Sequence, residues 1–328
     1  MELTVVIPTR NRRAIVSETL DRLEPQRDEV AFEAIVVDDG SSDGTQDALR
    51  RRAAASPFDL TLIEQHGKGP AAARNRALAV ARAPVCLFID DDTWPGPDLL
   101  VRHRDFHRSH PETTAALLGH VGLANVPPPT PFMRWLARQH LGYSGIEDPE
   151  DAGGQHFFSG NVSAKTEALR EVGGFDDGFT SAAHEDIDLG LRLEARGMRL
   201  AYDRDAVVEH HHPTDLPGTI VRMRDVGWSN ARFAERHPHR PPPRRPGARH
   251  RVKAGALTAL AAAGVRTPRL QQETWRFLCH ESFREAFWSA VDAREQNGGG
   301  PAEAPSELRI GRTLARLAAR DQDARMPS

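Results

Sequence analysis

Three consecutive aspartates, Asp90, Asp91 and Asp92, follow the apolar run VCLFI and are the residues of this chain best suited to chemistry. Carboxylates on successive residues repel one another, and a hard divalent cation removes that repulsion. Mg²⁺ or Mn²⁺ binds through one or two carboxylates together with phosphate oxygens of a substrate. Because side chains alternate along an extended segment, we expect Asp90 and Asp92 to face one way and Asp91 the other. A solvated acidic turn is the alternative interpretation.

A second acidic pair, Asp38 and Asp39, ends another apolar run and precedes the turn GSSDGT. Ser and Asp side chains favour turns and helix caps, which accounts for the turn itself. A carboxylate at this place can also accept hydrogen bonds from a nucleobase N–H or from ribose hydroxyls. The following segment, HGKGPAAARN at 66–75, leads from a Gly-rich loop into a helix. This segment would bind an anionic ligand at the helix N-terminus, or it would simply connect a strand to a helix. It matches neither the GxxxxGK[ST] nor the GxGxxG pattern of nucleotide-binding loops.

Two further groups stand later in the chain. Glu185 and Asp186 open a predicted helix at 185–196, where acids complement the helix dipole and where one carboxylate beside Phe175 and Phe179 would also serve as a general base. A run of three histidines at 210–212 ends a predicted strand. Such a run offers one imidazole as a metal ligand or phosphate donor, and packed or surface histidines are the alternative.

The elements that position these groups alternate regularly. Strands are predicted at 3–8, 34–37, 60–63 and 85–89, with helices near 15–23, 45–54 and 71–81 between them. This alternation indicates βαβ units and a mainly parallel sheet, which binds ligands at the carboxyl ends of its strands. Further strands are predicted at 115–121, 156–164, 200–202 and 206–208, and 126–131 is predicted to be a proline-rich loop.

The composition restricts the class of protein. Hydrophobic residues make up 39% of the 328 residues, charged residues 27%, and the net charge is −3, which gives no electrostatic reason to expect nucleic-acid binding. Two distant cysteines, neither in a CxxC motif, argue against a disulfide framework and a structural zinc site. With no basic, apolar leader at residue 1, we expect a soluble, cytoplasmic protein.

Beyond residue 215 the character of the chain changes. We predict a first domain at 1–215 and a helical region at 216–328, with a Pro/Arg-rich linker near 237–250 and an amphipathic stretch at 308–319. The basic linker is interpreted as solvated, or as a peripheral contact with an anionic membrane or a lipid-linked substrate. The oligomeric state is left open.

In order along the chain, the segments VVIPTRNR, VVDDGSSDGT, GPAAARN and FIDDD closely resemble the family 2 glycosyltransferases of the GT-A fold. The resemblance continues through FSGN, GGFD and HEDIDLGLR and covers about residues 2–212. It implies an α/β, Rossmann-like fold in which helices flank a mainly parallel central sheet, followed by an α-helical C-terminal extension.

The resemblance also implies a role for each matching residue. Asp186 corresponds to the catalytic base. Asp90 and Asp92 correspond to the DxD motif, with Asp92 the direct metal ligand. His210 corresponds to a histidine beside the metal, and His211 or His212 would take that place if the match moved by one or two positions. Asp39 would recognise the nucleobase of the donor. The residues expected to bind the nucleotide-sugar are Pro8, Thr9, Arg10, Asp38, Asp39, Arg74, Asp90, Asp91, Gly160, Asn161 and Glu185.

The implied activity is metal-dependent, inverting transfer of a sugar from a nucleoside-diphosphate sugar to a hydroxyl of a glycan, a lipid-linked molecule or a small molecule, with Mn²⁺ or Mg²⁺ as cofactor. Two alternatives remain. One is a sugar-nucleotide-binding protein without catalysis, and the other is a Mg²⁺-binding, receiver-like signalling module. The chain has no QxxRW motif near the catalytic acid, which disfavours a processive polysaccharide synthase.

Overall fold

The structure is a computed structural model that describes residues 1–140, 142–245, 247–262 and 267–296. Contacts between Cα atoms divide the chain into two compact units, one at Met1–Pro213 and one that begins at Thr214. The predicted amphipathic stretch at 308–319 lies outside the described residues. The assignment of separate roles to 1–215 and 216–328 stays a prediction.

The first unit begins with the predicted alternation of strands and helices. The strands β1 (Leu3–Thr9), β2 (Phe32–Asp39), β3 (Asp59–Gln65) and β4 (Val85–Ile89) are separated by the helices α1 (Arg13–Leu23), α2 (Thr45–Ala55) and α3 (Gly69–Val80). β1, β2 and β4 are buried on both faces, as their apolar runs require, and pair in parallel in the order β3-β2-β1-β4. Their carboxyl ends therefore meet at one edge of the sheet.

The second half of this unit completes a mixed sheet. Its strands are β5 (Thr93–Pro95), β6 (Ala115–Leu123), β7 (Asn161–Lys165) and β8 (Arg199–His210), and its helices are α4 (Leu99–Ser109), α5 (Pro131–His140), α6 (Thr166–Glu171) and α7 (Glu185–Glu194). The full order is β3-β2-β1-β4-β7-β6-β8-β5, in which β7 runs antiparallel to both neighbours and β5 is an edge strand antiparallel to β8.

Three strand predictions for this half were wrong in detail. The strand expected at 156–164 begins only at Asn161, because 154–156 forms a short 3-10 turn. The two strands expected at 200–202 and 206–208 are one strand, whose register with β6 shifts between Gly119 and His120. Helices α4, α5 and α6 and the three-residue strand β5 were not predicted.

The second unit is helical in its described part, as predicted. It contains α8 (Leu216–Arg236), α9 (Ala248–Ala262) and α10 (Pro268–Gln296). α8 and α10 pack closely at Gly227, where an added Cβ would lie 2.2 Å from the carbonyl oxygen of Phe283. In the Pro/Arg-rich segment, Arg245 pairs with Asp292 at 2.8 Å. Among the described helices, none combines the length and apolar character needed to cross a bilayer. The predicted membrane contact stays a prediction.

Candidate active site

The three aspartates after β4 do not continue the strand. The strand ends at Ile89, and the backbone N–H and hydroxyl of Thr93 both donate to the Asp90 carbonyl oxygen, at 3.2 and 2.8 Å, which closes a turn. The expected alternation is therefore wrong, because it requires extended backbone. Asp91 and Asp92 share one partner, and Asp90 faces another.

Arg12 is the partner shared by Asp91 and Asp92. Its Nη1 donates to Asp91 Oδ1 at 3.1 Å and also to Asp92 Oδ2. Thr9 donates its hydroxyl to Asp91 Oδ2 at 2.7 Å, which brings one predicted nucleotide-binding residue against another. Burial raises the pKa of Asp91 to about 7 despite the charge of Arg12. Arg12 stands in the quoted TRNR segment but was not predicted as a site residue, because sequence alone does not show that α1 begins beside β4.

Asp92 lies at the centre of a group of metal-ligating side chains. Its carboxylate is 3.3 Å from His210 Nε2 and 3.1 Å from His212 Nδ1. Burial opposes ionisation of Asp92, but hydrogen bonds from the two histidines hold its pKa well below the usual range. Burial also disfavours a charged His210, yet Asp92 raises the pKa of this imidazole.

The structure shows which histidines of the run at 210–212 face Asp92. The rings of His210 and His212 are stacked 5.3 Å apart and both face Asp92, whereas His211 stacks on Trp94 on the other side. One ligand atom from each of Asp92, His210 and His212 lies within 4.8 Å of the others. One carboxylate oxygen and two imidazole nitrogens form a donor set that fits a divalent transition-metal ion. Asp90 is not part of this group, and its expected metal contact stays a prediction.

Asp90 instead belongs to an ion-pair network around Arg74. Arg74 donates to Asp90 Oδ1 and to Glu185 Oε1, both at 2.8 Å, and its guanidinium lies 5.5 Å from the centre of the Phe175 ring. The side chains of Arg74 and Glu185 are 2% and 3% exposed, so neither presents a free surface to a nucleotide. Burial raises the pKa of Glu185 to about 7. The network ties the end of β4 to the start of α7.

Asp186, the predicted base, lies at that same start of α7 and is half-buried. Its Oδ2 accepts from the backbone N–H of Ser159 at 3.1 Å, and its Oδ1 accepts from the N–H of Ile187 at 2.8 Å. Burial raises its pKa, against the effect of these two hydrogen bonds. The next residue after Ser159 is Gly160, where an added Cβ would lie 3.3 Å from Asp90 Oδ2. The structure therefore brings Asp90, Gly160 and Asp186 together.

Asn161 supports the site from inside the sheet. It is fully buried, and its amide nitrogen donates to the carbonyl oxygens of His120 and Ala206, at 3.2 and 2.8 Å. Its amide oxygen lies 3.0 Å from Nε2 of the buried His103. Both polar atoms of Asn161 are thus used within the protein, and its expected contact with the nucleotide-sugar has no support from this geometry.

The second acidic pair holds two loops at the end of β2. Asp38 Oδ1 accepts from the N–H groups of Gly40 and Ser41, at 3.0 and 2.9 Å. Asp39 accepts from the N–H groups of Lys68 and Gly69, at 2.8 and 2.9 Å, and so fixes the start of α3. Of the three residues predicted to line the nucleotide pocket after β1, Thr9 is buried, Pro8 is half-buried and Arg10 is exposed. Their contacts with a nucleotide stay predictions.

The sequence model of the family described as glycosyl transferase family 2 matches residues 4–172, about half of the chain. The chain belongs to this family. It is 32% identical over 246 residues to the pre-mycofactocin glycosyltransferase of Mycobacterium tuberculosis, covering 74% of this chain and 49% of that protein. It is 30% identical over 271 residues to validoxylamine A glucosyltransferase of Streptomyces hygroscopicus, covering 72% and 61% respectively. The chain thus spans about half to three fifths of the length of these relatives.

Solved structures share the fold. The mannosyltransferase PcManGT from Pyrobaculum calidifontis, in complex with GDP-Man and Mn²⁺, matches with a TM-score of 0.52 and 20% identity over 98% of this chain and 80% of that chain. Residues 1–349 of S. aureus TarS, in complex with UDP, match with a TM-score of 0.53 and 18% identity over 89% and 92%. The expected GT-A-like α/β fold is confirmed, and the family assignment excludes the receiver-like alternative.

Proposed function

We propose that this chain is an inverting glycosyltransferase that moves a sugar from a nucleoside-diphosphate sugar to an acceptor hydroxyl. The observation that carries the proposal is the presence of two different carboxylate groups at one edge of the sheet. Asp186 is a half-buried carboxylate oriented by backbone N–H groups, and Asp92 is an ionised carboxylate among metal-ligating histidines. The first suits proton removal, and the second suits a cation beside a diphosphate.

A divalent cation would be held by Asp92, His210 and His212, with Asp90 as the second carboxylate of the DxD motif. Such an ion, when bound, supplies positive charge that stabilises a departing diphosphate. Two imidazole nitrogens in the donor set favour Mn²⁺ over Mg²⁺, because Mg²⁺ prefers oxygen ligands. Arg12 already donates to Asp92, so this carboxylate is oriented without the ion.

Asp186 acts as the general base. Its carboxylate removes the proton from the acceptor hydroxyl as that oxygen forms a bond to the anomeric carbon. The bond from this carbon to the diphosphate oxygen breaks, and its electron pair leaves with the diphosphate. A single displacement inverts the anomeric configuration and needs no carboxylate nucleophile, in contrast to a retaining hydrolase. The backbone N–H of Ser159 fixes the orientation of Asp186 for this step.

The donor is proposed to lie against the carboxyl ends of β1, β2 and β4, with Asp39 at the base end. Structures of the same fold contain UDP, UDP-GlcNAc or GDP-Man, which supports UDP- and GDP-sugars as the first probes. A correct donor should raise the melting temperature in the presence of Mn²⁺, since a ligand stabilises the folded state by RT ln(1 + [L]/Kd). The acceptor is proposed as a hydroxyl-bearing glycan, lipid-linked molecule or small molecule.

The test is transfer by Asp186→Asn, followed as release of nucleoside diphosphate from the donor found in that screen. The variant should lose about 10²–10⁴-fold in rate, as expected for loss of a general base. Its affinity for the nucleoside diphosphate should be retained. Asp177→Asn, which changes an exposed aspartate in the loop before α7, is the matched control and should transfer at the wild-type rate. Full activity of Asp186→Asn would refute the assignment, and binding without turnover by the wild type would support the non-catalytic alternative.

A further inference from the structure

The middle histidine of the run takes part in an aromatic stack behind the metal-ligating group. The imidazole of His211 lies parallel to the indole of Trp94, with ring centres 4.0 Å apart and 12° between the planes. On Trp94 the guanidinium of Arg22 also lies 4.3 Å from the ring centre. Trp94 itself is 8% exposed, so a half-buried His211 and a helix residue both contact a nearly buried ring.

This stack lies at one edge of the sheet. β5 is an edge strand of three residues, and its ladder with β8 ends at the pair Thr93 and His210. One further hydrogen bond continues the pairing, from the N–H of His211 to the carbonyl oxygen of Asp92 at 2.7 Å. Asp92 therefore precedes the short strand, and His210 and His212 stand at the end of its partner. Fraying of this end would separate the carboxylate from both imidazoles.

Side-chain alternation links the stack to the ligands. His210 and His212 are two residues apart and both face Asp92, whereas His211, between them, faces Trp94. Fixing the ring of His211 thus fixes the direction of its two neighbours. Aromatic stacking of this kind holds side chains more firmly than burial of the same area alone.

We propose that His211 is a positioning residue for the metal site, and that its stack with Trp94 and Arg22 holds His210 and His212 against Asp92. All three histidines then have a role, two as ligands and one as their anchor. The inference rests on the proposed metal site and goes beyond it, since it concerns a residue whose ring faces Trp94 and is not among the proposed ligands.

The test is the Mn²⁺ affinity of the nucleotide-free protein, measured by isothermal titration calorimetry. His211→Ala removes the stacking ring and should weaken Mn²⁺ binding by about 10-fold or more, the size of effect typical of residues that orient metal ligands. His211→Phe keeps a ring on Trp94 and should bind Mn²⁺ with nearly wild-type affinity. The melting temperature of each variant without Mn²⁺ is measured alongside.

A matched control is available at the end of α4, where His110 stacks on Phe106 with ring centres 4.3 Å apart and 20° between the planes. His110→Ala removes a similar stack away from the site and should leave Mn²⁺ affinity unchanged. Wild-type affinity in His211→Ala, or a loss in His211→Phe as large as in His211→Ala, would overturn the inference. Failure of the wild type to bind Mn²⁺ would instead refute the proposed metal site, and the inference with it.

Discussion

A buried histidine beneath the site allows a prediction for stability. His103 on α4 has no exposed surface, and its ring nitrogens contact the Ser163 hydroxyl at 2.7 Å and the Asn161 amide oxygen at 3.0 Å. The Asn161 amide oxygen accepts from Nε2, so Nδ1 remains to accept from the hydroxyl in the neutral ring. Burial lowers the pKa of His103 from 6.5 to about 4. The folded protein therefore resists protonation at this position.

The sign and size of the effect follow from proton linkage. The unfolded chain takes up a proton at His103 as the pH falls through 6.5, whereas the folded chain does so only near pH 4. The stability linked to this group is fully present above pH 6.5 and is lost as the pH falls toward 4. Between pH 7 and pH 5 this loss should amount to about 2 kcal/mol.

The assay compares urea unfolding of the wild type and His103→Gln at pH 7 and pH 5. Glutamine does not titrate, so the free energy of unfolding of the wild type should fall by about 2 kcal/mol more than that of the variant. The nearby groups His107, Lys165 and Asp203 are present in both proteins, so the part of their titration that does not depend on His103 cancels in the difference. A difference between the two proteins that is the same at both pH values would refute the reasoning.

Three further predictions concern the site itself. Arg74→Met should lower the free energy of unfolding by about 3–5 kcal/mol, because it leaves Glu185 buried without its partner, and an unchanged urea midpoint would contradict this ion pair. Asp92→Asn should weaken Mn²⁺ binding, measured by calorimetry, more than Asp90→Asn does, because Asp92 and not Asp90 is grouped with the two histidines. Equal losses of affinity in the two variants would count against this ligand set. Since burial raises the pKa of Asp186 and only its ionised form accepts a proton, kcat/KM should rise with pH through that pKa, and a flat profile on the acid side would argue against this base.

The first half of the sheet could be predicted because its strands carry a strong local signal. β1, β2 and β4 are buried on both faces, so they appear as continuous apolar runs that end at Asp- or Gly-rich turns. The carboxyl ends of parallel strands then meet by geometry, which brings Thr9 and Asp91 together across 82 residues of sequence. The position of the site follows from the same reasoning.

The direction of individual side chains could not be predicted in this way. The alternation rule failed at Asp90 because the strand ends one residue earlier and a turn follows, closed by the hydrogen bonds from Thr93 to the Asp90 carbonyl oxygen. The partner of Asp92 depends on where α1 packs, and β5 is too short to leave a periodic signal. In the histidine run the side chains alternate as in a strand, since β8 continues to His210, so two imidazoles face Asp92 where one was expected.

Ionisation distinguishes the carboxylates that the sequence presents as equivalent. Burial brings the pKa of Asp91 and of Glu185 to about 7, so each carboxyl group is partly protonated at neutral pH. This partial protonation reduces the electrostatic repulsion between these residues and the neighbouring carboxylates. Asp92 is ionised because two histidines and an arginine hold its pKa well below the usual range. Asp186 combines a raised pKa with a half-buried position, which suits a group that must accept a proton and later release it. Burial and hydrogen bonding thus give the acidic residues different properties. Asp92 is suited to binding a cation and Asp186 to accepting a proton, whereas Asp91 and Glu185 support the site.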